Sequence, residues 1–219
     1  MMHRSPAPAR LVLPVLLVLA AAMGGPARAQ SLLGLSIGAP ASAANRLGLA
    51  AADSVMSAKL VVRGYKLPDG GTLEVTADRS DNRIVFLQQL LLGVPGLVNS
   101  DLAGFTFGKT TLSSIRRSCG SNGFAYKGGP APSQIRDLYV LLNAYDIKGR
   151  PEVVIFLTAL PVAAARQLSS SRPEDVAAMG DRAILVGMIL AKRSYLEGAW
   201  GAERISDNPC PPINWVNRP

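Results

Sequence analysis

Two stretches of the chain open on the same pair of glycines, four residues apart. Leu33-Gly34-Leu35-Ser36-Ile37-Gly38 opens a segment that runs to Arg46-Leu47-Gly48, and Ala103-Gly104-Phe105-Thr106-Phe107-Gly108 opens another that runs to Ser118-Cys119-Gly120. Gly34 and Gly104 stand 70 residues apart, as do Gly38 and Gly108, and the same offset separates Phe86 of Asn82-Arg83-Ile84-Val85-Phe86-Leu87 from Phe156 of Glu152-Val153-Val154-Ile155-Phe156-Leu157. A chain that repeats its turning points at one interval is expected to contain two copies of one supersecondary unit. The pattern specifies architecture and names no reaction.

Within the first copy, Pro40 sits where a first helical residue gives up an amide that has no partner anyway, and Gly48 is placed to end the helix in the left-handed conformation. Residues 49–58 are Ala-rich and leave three options open: a continued helix, a second short helix, or a loop. Leu60-Val61-Val62-Arg63-Gly64-Tyr65, Thr72-Leu73-Glu74-Val75-Thr76-Ala77 and Arg83-Ile84-Val85-Phe86-Leu87 read as three strands of an antiparallel meander, separated by Pro68-Asp69-Gly70-Gly71 and Arg79-Ser80-Asp81-Asn82. Alternation puts Leu73, Val75 and Ala77 on a packed face and Thr72, Glu74 and Thr76 on a wet one.

The second copy repeats this order. Thr110 or Thr111 caps a helix whose Leu112, Ile115 and Cys119 form a buried stripe, and Gly120 ends it. Phe124-Ala125-Tyr126 and residues 138–145 and 153–160 read as strands, the last apolar enough throughout to be central in a sheet. Residues 90–101, with Gly93, Pro95 and Gly96, form a connector that either packs between the halves or presents its leucines to a membrane or partner. Beyond Pro161, Ser171-Arg172-Pro173-Glu174 has the form of a capping box, and Val176, Met179, Ala183, Val186 and Leu190 step along one helical face. The expected fold is therefore α+β: two helix-plus-antiparallel-meander repeats (residues 30–92 and 103–161) joined by a connector (93–102). A C-terminal helix and a docked, proline-rich tail (162–219) complete it.

Residues 1–29 read as a bacterial-type secretory signal peptide. His3, Arg4 and Arg10 precede an apolar run, and Pro26-Ala27-Arg28-Ala29 supplies the small-x-small cleavage pattern before Gln30. Pro14 and Gly24-Gly25-Pro26 interrupt that run, which is short for a bilayer-spanning helix of ~20 residues; a retained anchor is the competing reading. Removing its three arginines lowers the formal charge from +8 to +5. Cleavage points to the periplasm or beyond. The remaining charge is scattered, with Arg116-Arg117 and Lys192-Arg193 as its densest pairs on expected helix surfaces, and makes no nucleic-acid footprint. In an oxidising compartment Cys119 and Cys210 form either one disulfide or two buried thiols.

The chemistry-bearing residues are few. His3, the only histidine, leaves with the signal peptide, so the mature chain lacks imidazole for a Ser-His-Asp or Cys-His arrangement or a common zinc site. Gly108-Lys109-Thr110-Thr111 resembles the end of a phosphate-binding loop, but the required earlier glycine is Ala103. Asp78 with Asp81 belongs to a turn, and Glu174 with Asp175 to a first helical turn, so both pairs have structural explanations. The expectation is a chain with no catalytic residues, cofactor or metal.

The glycine-led helix starts at Gly34–Gly38 and Gly104–Gly108, the Leu47-Gly48 and Cys119-Gly120 ends, and the meander after each resemble the αβ repeats of two families. These are the β-lactamase-inhibitor-protein type and the SmpA/OmlA type of outer-membrane assembly lipoproteins. The resemblance covers about residues 31–160, lacks a lipidated cysteine, and implies a non-enzymatic binding or assembly role with the sheets facing another envelope or secreted protein. Tyr65, Tyr139, Tyr145, Trp200 and Trp215 are the residue types that dominate such interfaces. The alternative is a small-molecule or lipid carrier using a cleft between the two half-sheets.

Overall fold

The computed structural model describes residues 30–56, 58–92, 98–102, 104–168, 179–206 and 211–213. A small hairpin, β1 (Ser31–Leu32) and β2 (Leu35–Ser36), leads into a 3-10 helix at Ala41–Leu47. Four strands follow: β3 (Ala51–Met56), β4 (Leu60–Lys66), β5 (Thr72–Asp78) and β6 (Ile84–Leu90). A second small hairpin, β7 (Val98–Asn99) with β8 (Thr106–Phe107), precedes helix α1 (Leu112–Cys119). Then come β9 (Ala125–Tyr126), β10 (Ser133–Ile135), β11 (Leu138–Asp146) and β12 (Glu152–Pro161). Helix α2 (Val162–Leu168), β13 (Ile184–Lys192), helix α3 (Arg193–Trp200) and β14 (Arg204–Ile205) complete the order.

The fold is mixed α+β and mostly antiparallel. One sheet of eight strands runs β10-β11-β12-β13-β6-β5-β4-β3. Its middle strands carry the least ambiguous sequence signal: eight consecutive residues from Val153 to Leu160 are buried, because packed layers lie on both faces of β12. The meander of β4, β5 and β6 forms as expected, and β3 adds an edge strand to it where the Ala-rich stretch was expected to be helix or loop, because pairing with β4 decides its conformation.

Helix termini follow the local chemistry. Thr111 caps α1, its Oγ1 accepting the Ser114 amide at 3.2 Å, and Gly120 ends it at φ 69°. All six glycines of the repeated pattern have positive φ: Gly34, Gly38, Gly48, Gly104, Gly108 and Gly120 lie between 65° and 87°. Only glycine takes that region freely, which explains why these positions punctuate the chain.

The C-terminal helix expected around residues 176–190 is helical among the described residues only at 179–182, and its second half is corrected. Ile184–Lys192 is a strand, paired with β12 on one side and β6 on the other. Ile184-Leu185-Val186-Gly187-Met188-Ile189-Leu190-Ala191 is apolar at every position, so a helical stripe picked from it fits strand burial equally well. Gly187 marks the difference. A Cβ there would come within 2.8 Å of the Gln89 carbonyl oxygen and 2.9 Å of Leu90 Cδ1, a close approach that the seam between β13 and β6 requires. The capping box at 171–174 lies outside the described residues, and so does Glu174-Asp175.

The 70-residue match between Phe86 and Phe156 also needs correction. Gly38 donates to the Ile84 carbonyl, Ile84 to Ala39, and Ala41 to Asn82, at 2.8, 2.8 and 2.9 Å. In the second half Gly108 donates to Leu185, Leu185 to Thr110, and Leu112 to Ala183, each at 2.8 Å. The segment before each helix is thus stitched to β6 in one case and to β13, not β12, in the other.

Apolar layers form on both sides of the sheet. On the first face, the two small hairpins, the 3-10 helix, α1 and Ile213 enclose a core that includes Leu35, Leu73, Ile115, Tyr145, Phe156 and Met188. Leu91 and Leu102, at the ends of the connector, are buried in this layer. On the second face, α3 and the segment around β9 cover Val140, Ile155, Ile189 and Ala191 through Leu196, Phe124 and Tyr126. Arg204 fastens that cover: its guanidinium lies 4.2 Å from the Phe124 ring centroid and 2.7 Å from Asp146 Oδ2, while Arg193 reaches Asp146 Oδ1 at 3.0 Å. Among the described residues no helix is long and apolar enough to cross a membrane.

Candidate functional site

The cover on the second face stops part-way along the sheet. Tyr195 of α3 packs on Phe86 with ring centroids 5.6 Å apart, and in that row Thr76 and Phe86 are 0% and 6% exposed. One row further along, Gly64, Glu74 and Gln88 stand side by side on β4, β5 and β6, and all three are half-buried rather than enclosed. The row after that carries Lys66 and Thr72, both exposed, and Leu90. Val62, beside Thr76, is also only partly buried. A Cβ built on Gly64 meets no atom within 4 Å. Among the described residues this part of the sheet is an open surface, bordered by Tyr195, with a gap over Gly64.

Register explains how these residues meet. Gly64 pairs with Glu74, Glu74 with Gln88, and on the far side Asp53 of β3 pairs with Gly64 next to an irregularity between Ala51 and Asp53. Because side chains alternate along a strand, one register places Glu74 here and Val75 in the core.

The electrostatics of the row are unusual for a surface. Burial pushes the Glu74 carboxyl above its ordinary pKa, and the Thr76 hydroxyl offsets this only in part. Burial also raises the Tyr195 phenol, with the neighbouring Glu74 charge adding to the effect. Thr76 Oγ1 is itself buried without a well-formed hydrogen bond. No ion pair to Glu74 occurs among the described residues.

A second concavity lies on the first face. Leu102, Gly104 and Phe105 from the connector side, Arg117, Ser118, Cys119 and Gly120 from the end of α1, and Pro212 and Ile213 from the tail line an open cleft of about 430 Å³. Ile213 is held there by backbone bonds, donating to Asp146 at 2.8 Å and accepting from Lys148 at 2.9 Å. The expected cleft between two half-sheets is absent among the described residues, because β6 and β13 pair directly from Gly187–Leu90 to Ala191–Phe86.

The aromatic interface candidates separate into groups. Tyr65 and Tyr145, 4% and 0% exposed, belong to the core and offer no surface; the Tyr145 hydroxyl donates to the Ser121 carbonyl. Trp200 is half-buried against Tyr126 with ring centroids 5.8 Å apart. Tyr139 lines an open pocket of about 260 Å³ with Val162, Ala165 and Met179. Trp215 and Cys210 lie outside the described residues. Asp78 and Asp81 close their own turn, Asp78 accepting from Ser80 and Asp81 from the Arg83 amide. Gly64, Glu74, Gln88 and Tyr195 did not stand out in the sequence. Glycine inside a β-branched strand was the available signal.

Comparison of the chain with protein-family models, with curated proteins and with solved structures finds no match.

Proposed function

We propose that this chain is an exported, non-enzymatic protein that binds another envelope or secreted protein through the open part of the second sheet face. The observation that carries the reading is the interrupted cover: among the described residues α3 and the β9 segment clothe that face only as far as Tyr195, half-buried Val62 and Glu74 flank a glycine over open space, and half-buried Gln88 and Leu90 lie on the strand beyond Glu74. Val62 and Leu90 gain by further burial, and a partner's surface supplies both that cover and the hydrogen-bonding groups that Glu74 and Gln88 require. The β-lactamase-inhibitor-protein and SmpA/OmlA resemblance points the same way.

We also infer that the two halves are copies of one unit. Supporting this are the matched bonds from Gly38, Ile84 and Ala41 in one half and from Gly108, Leu185 and Leu112 in the other. They make β13 the counterpart of β6. These two strands are antiparallel neighbours, as a two-fold relation between the halves demands.

The test is capture from a cell-envelope extract with the mature chain, beside a Gly64→Trp variant that fills the gap and an Arg117→Glu variant in the other cleft. The reading expects a protein retained by the native chain and by Arg117→Glu and lost with Gly64→Trp. Retention by all three forms would overturn it. Co-purification of a lipid or small molecule, lost with Arg117→Glu, would favour the carrier alternative, for which the cleft of about 430 Å³ has ligand dimensions.

A further inference from the structure

Resting on the protein-binding reading, we infer that the partner presents a basic side chain, arginine or lysine, into the gap over Gly64, where it pairs with Glu74. Three observations converge. First, the row Gly64, Glu74, Gln88 carries one acidic side chain, Glu74, and no base. Second, Glu74 is half-buried yet has no cation among the described residues: Arg63 pairs with Val75, so it shares that residue's side of the sheet, and Lys66 stands one row away and exposed. A carboxylate partly withdrawn from water without a counter-charge is poorly solvated, and a docked cation restores what burial removes. Third, the space over Gly64 has no atom within 4 Å of a Cβ position, so a side chain can lie over Gly64 with its head at Glu74.

The remaining walls suit that occupant. Gln88 offers an amide oxygen beside the carboxylate, and the Tyr195 ring borders the row. A guanidinium, planar and a donor on several edges, uses all three groups better than an ammonium does.

The probe is a capped pentapeptide, Thr-Val-Arg-Val-Thr, titrated into the isotope-labelled mature chain and followed by amide shifts, beside the same peptide with citrulline in place of arginine. Citrulline keeps the shape and loses the charge. The inference expects shifts at Gly64, Glu74 and Gln88 with the arginine peptide, about tenfold weaker binding with citrulline or with Glu74→Gln, and weakening with added salt. Glu74→Gln is isosteric, and an unchanged spectrum in the absence of peptide verifies its fold. Equal binding of both peptides, insensitivity to Glu74→Gln, shifts confined to the α1 and tail cleft, or no shift at millimolar arginine peptide would each overturn it. If the peptide fails while Gly64→Trp still abolishes capture, the cation assignment falls and the docking face stands.

Discussion

Gly64 and Gly187 both interrupt apolar strands, and the structure assigns them opposite tolerances. At Gly64 an added Cβ meets nothing within 4 Å and φ lies outside the left-handed region. Replacing it with valine removes the extra freedom glycine has in the unfolded chain, roughly 0.5–1 kcal/mol, and adds a β-branched residue suited to a strand. Gly64→Val is therefore expected to stabilise the chain by about 1 kcal/mol, which for a chain of this size raises Tm by about 2–4 °C. At Gly187 the same kind of change drives a Cβ to 2.8 Å from the Gln89 carbonyl oxygen and 2.9 Å from Leu90 Cδ1. Backbone on the neighbouring strand cannot rotate away, so Gly187→Ala is expected to cost about 1–3 kcal/mol by overpacking. Urea unfolding of both variants beside the native chain measures the difference. A destabilised Gly64→Val, or a neutral Gly187→Ala, would refute the reasoning about which face is open and where the two halves are joined.

Three further outcomes follow from single groups. Burial raises the folded-state pKa of Glu74, so the folded state holds a proton that the unfolded chain releases, and its contribution to stability falls as pH rises from about 4 through that raised value; Glu74→Gln is expected to flatten this part of the stability curve measured by urea unfolding. Arg204→Ala removes the 2.7 Å bond to Asp146 and the stacking on Phe124, at an expected cost of about 2 kcal/mol by thermal unfolding. Cys119 lines the same cleft as Pro212 and Ile213, two and three residues past Cys210. Alkylation without reductant followed by mass spectrometry decides between the disulfide and two thiols: a Cys119–Cys210 bridge leaves neither thiol modified and makes Cys119→Ser cost up to roughly 4 kcal/mol, and two modified thiols end the idea.

How much of this was legible in the sequence depended on how local the cause was. Thr111, Gly48 and Gly120 end helices through bonds within a few residues, and the sequence pattern located them. Alternation identified Leu73, Val75 and Ala77 as core, each at most 2% exposed. It misplaced Thr76 as wet, because Tyr195, distant in sequence, packs on Phe86, the strand neighbour of Thr76. Residues 184–191 were misread for a related reason: apolar at every position, they satisfy helix and strand periods alike, and only pairing with β6 and β12 decides. The candidate site was hardest to see. Gly64, Glu74 and Gln88 become neighbours through strand register, and the surface is open because of where α3 ends.

Cross-saturation NMR on the mature chain bound to its captured partner tests the central claim most directly, since it reports which side of the sheet the partner touches. The account predicts attenuated signals at Val62, Gly64, Thr72, Glu74 and Gln88. Attenuation at Leu102, Arg117, Ser118 and Ile213, with the open sheet face unaffected, would contradict it.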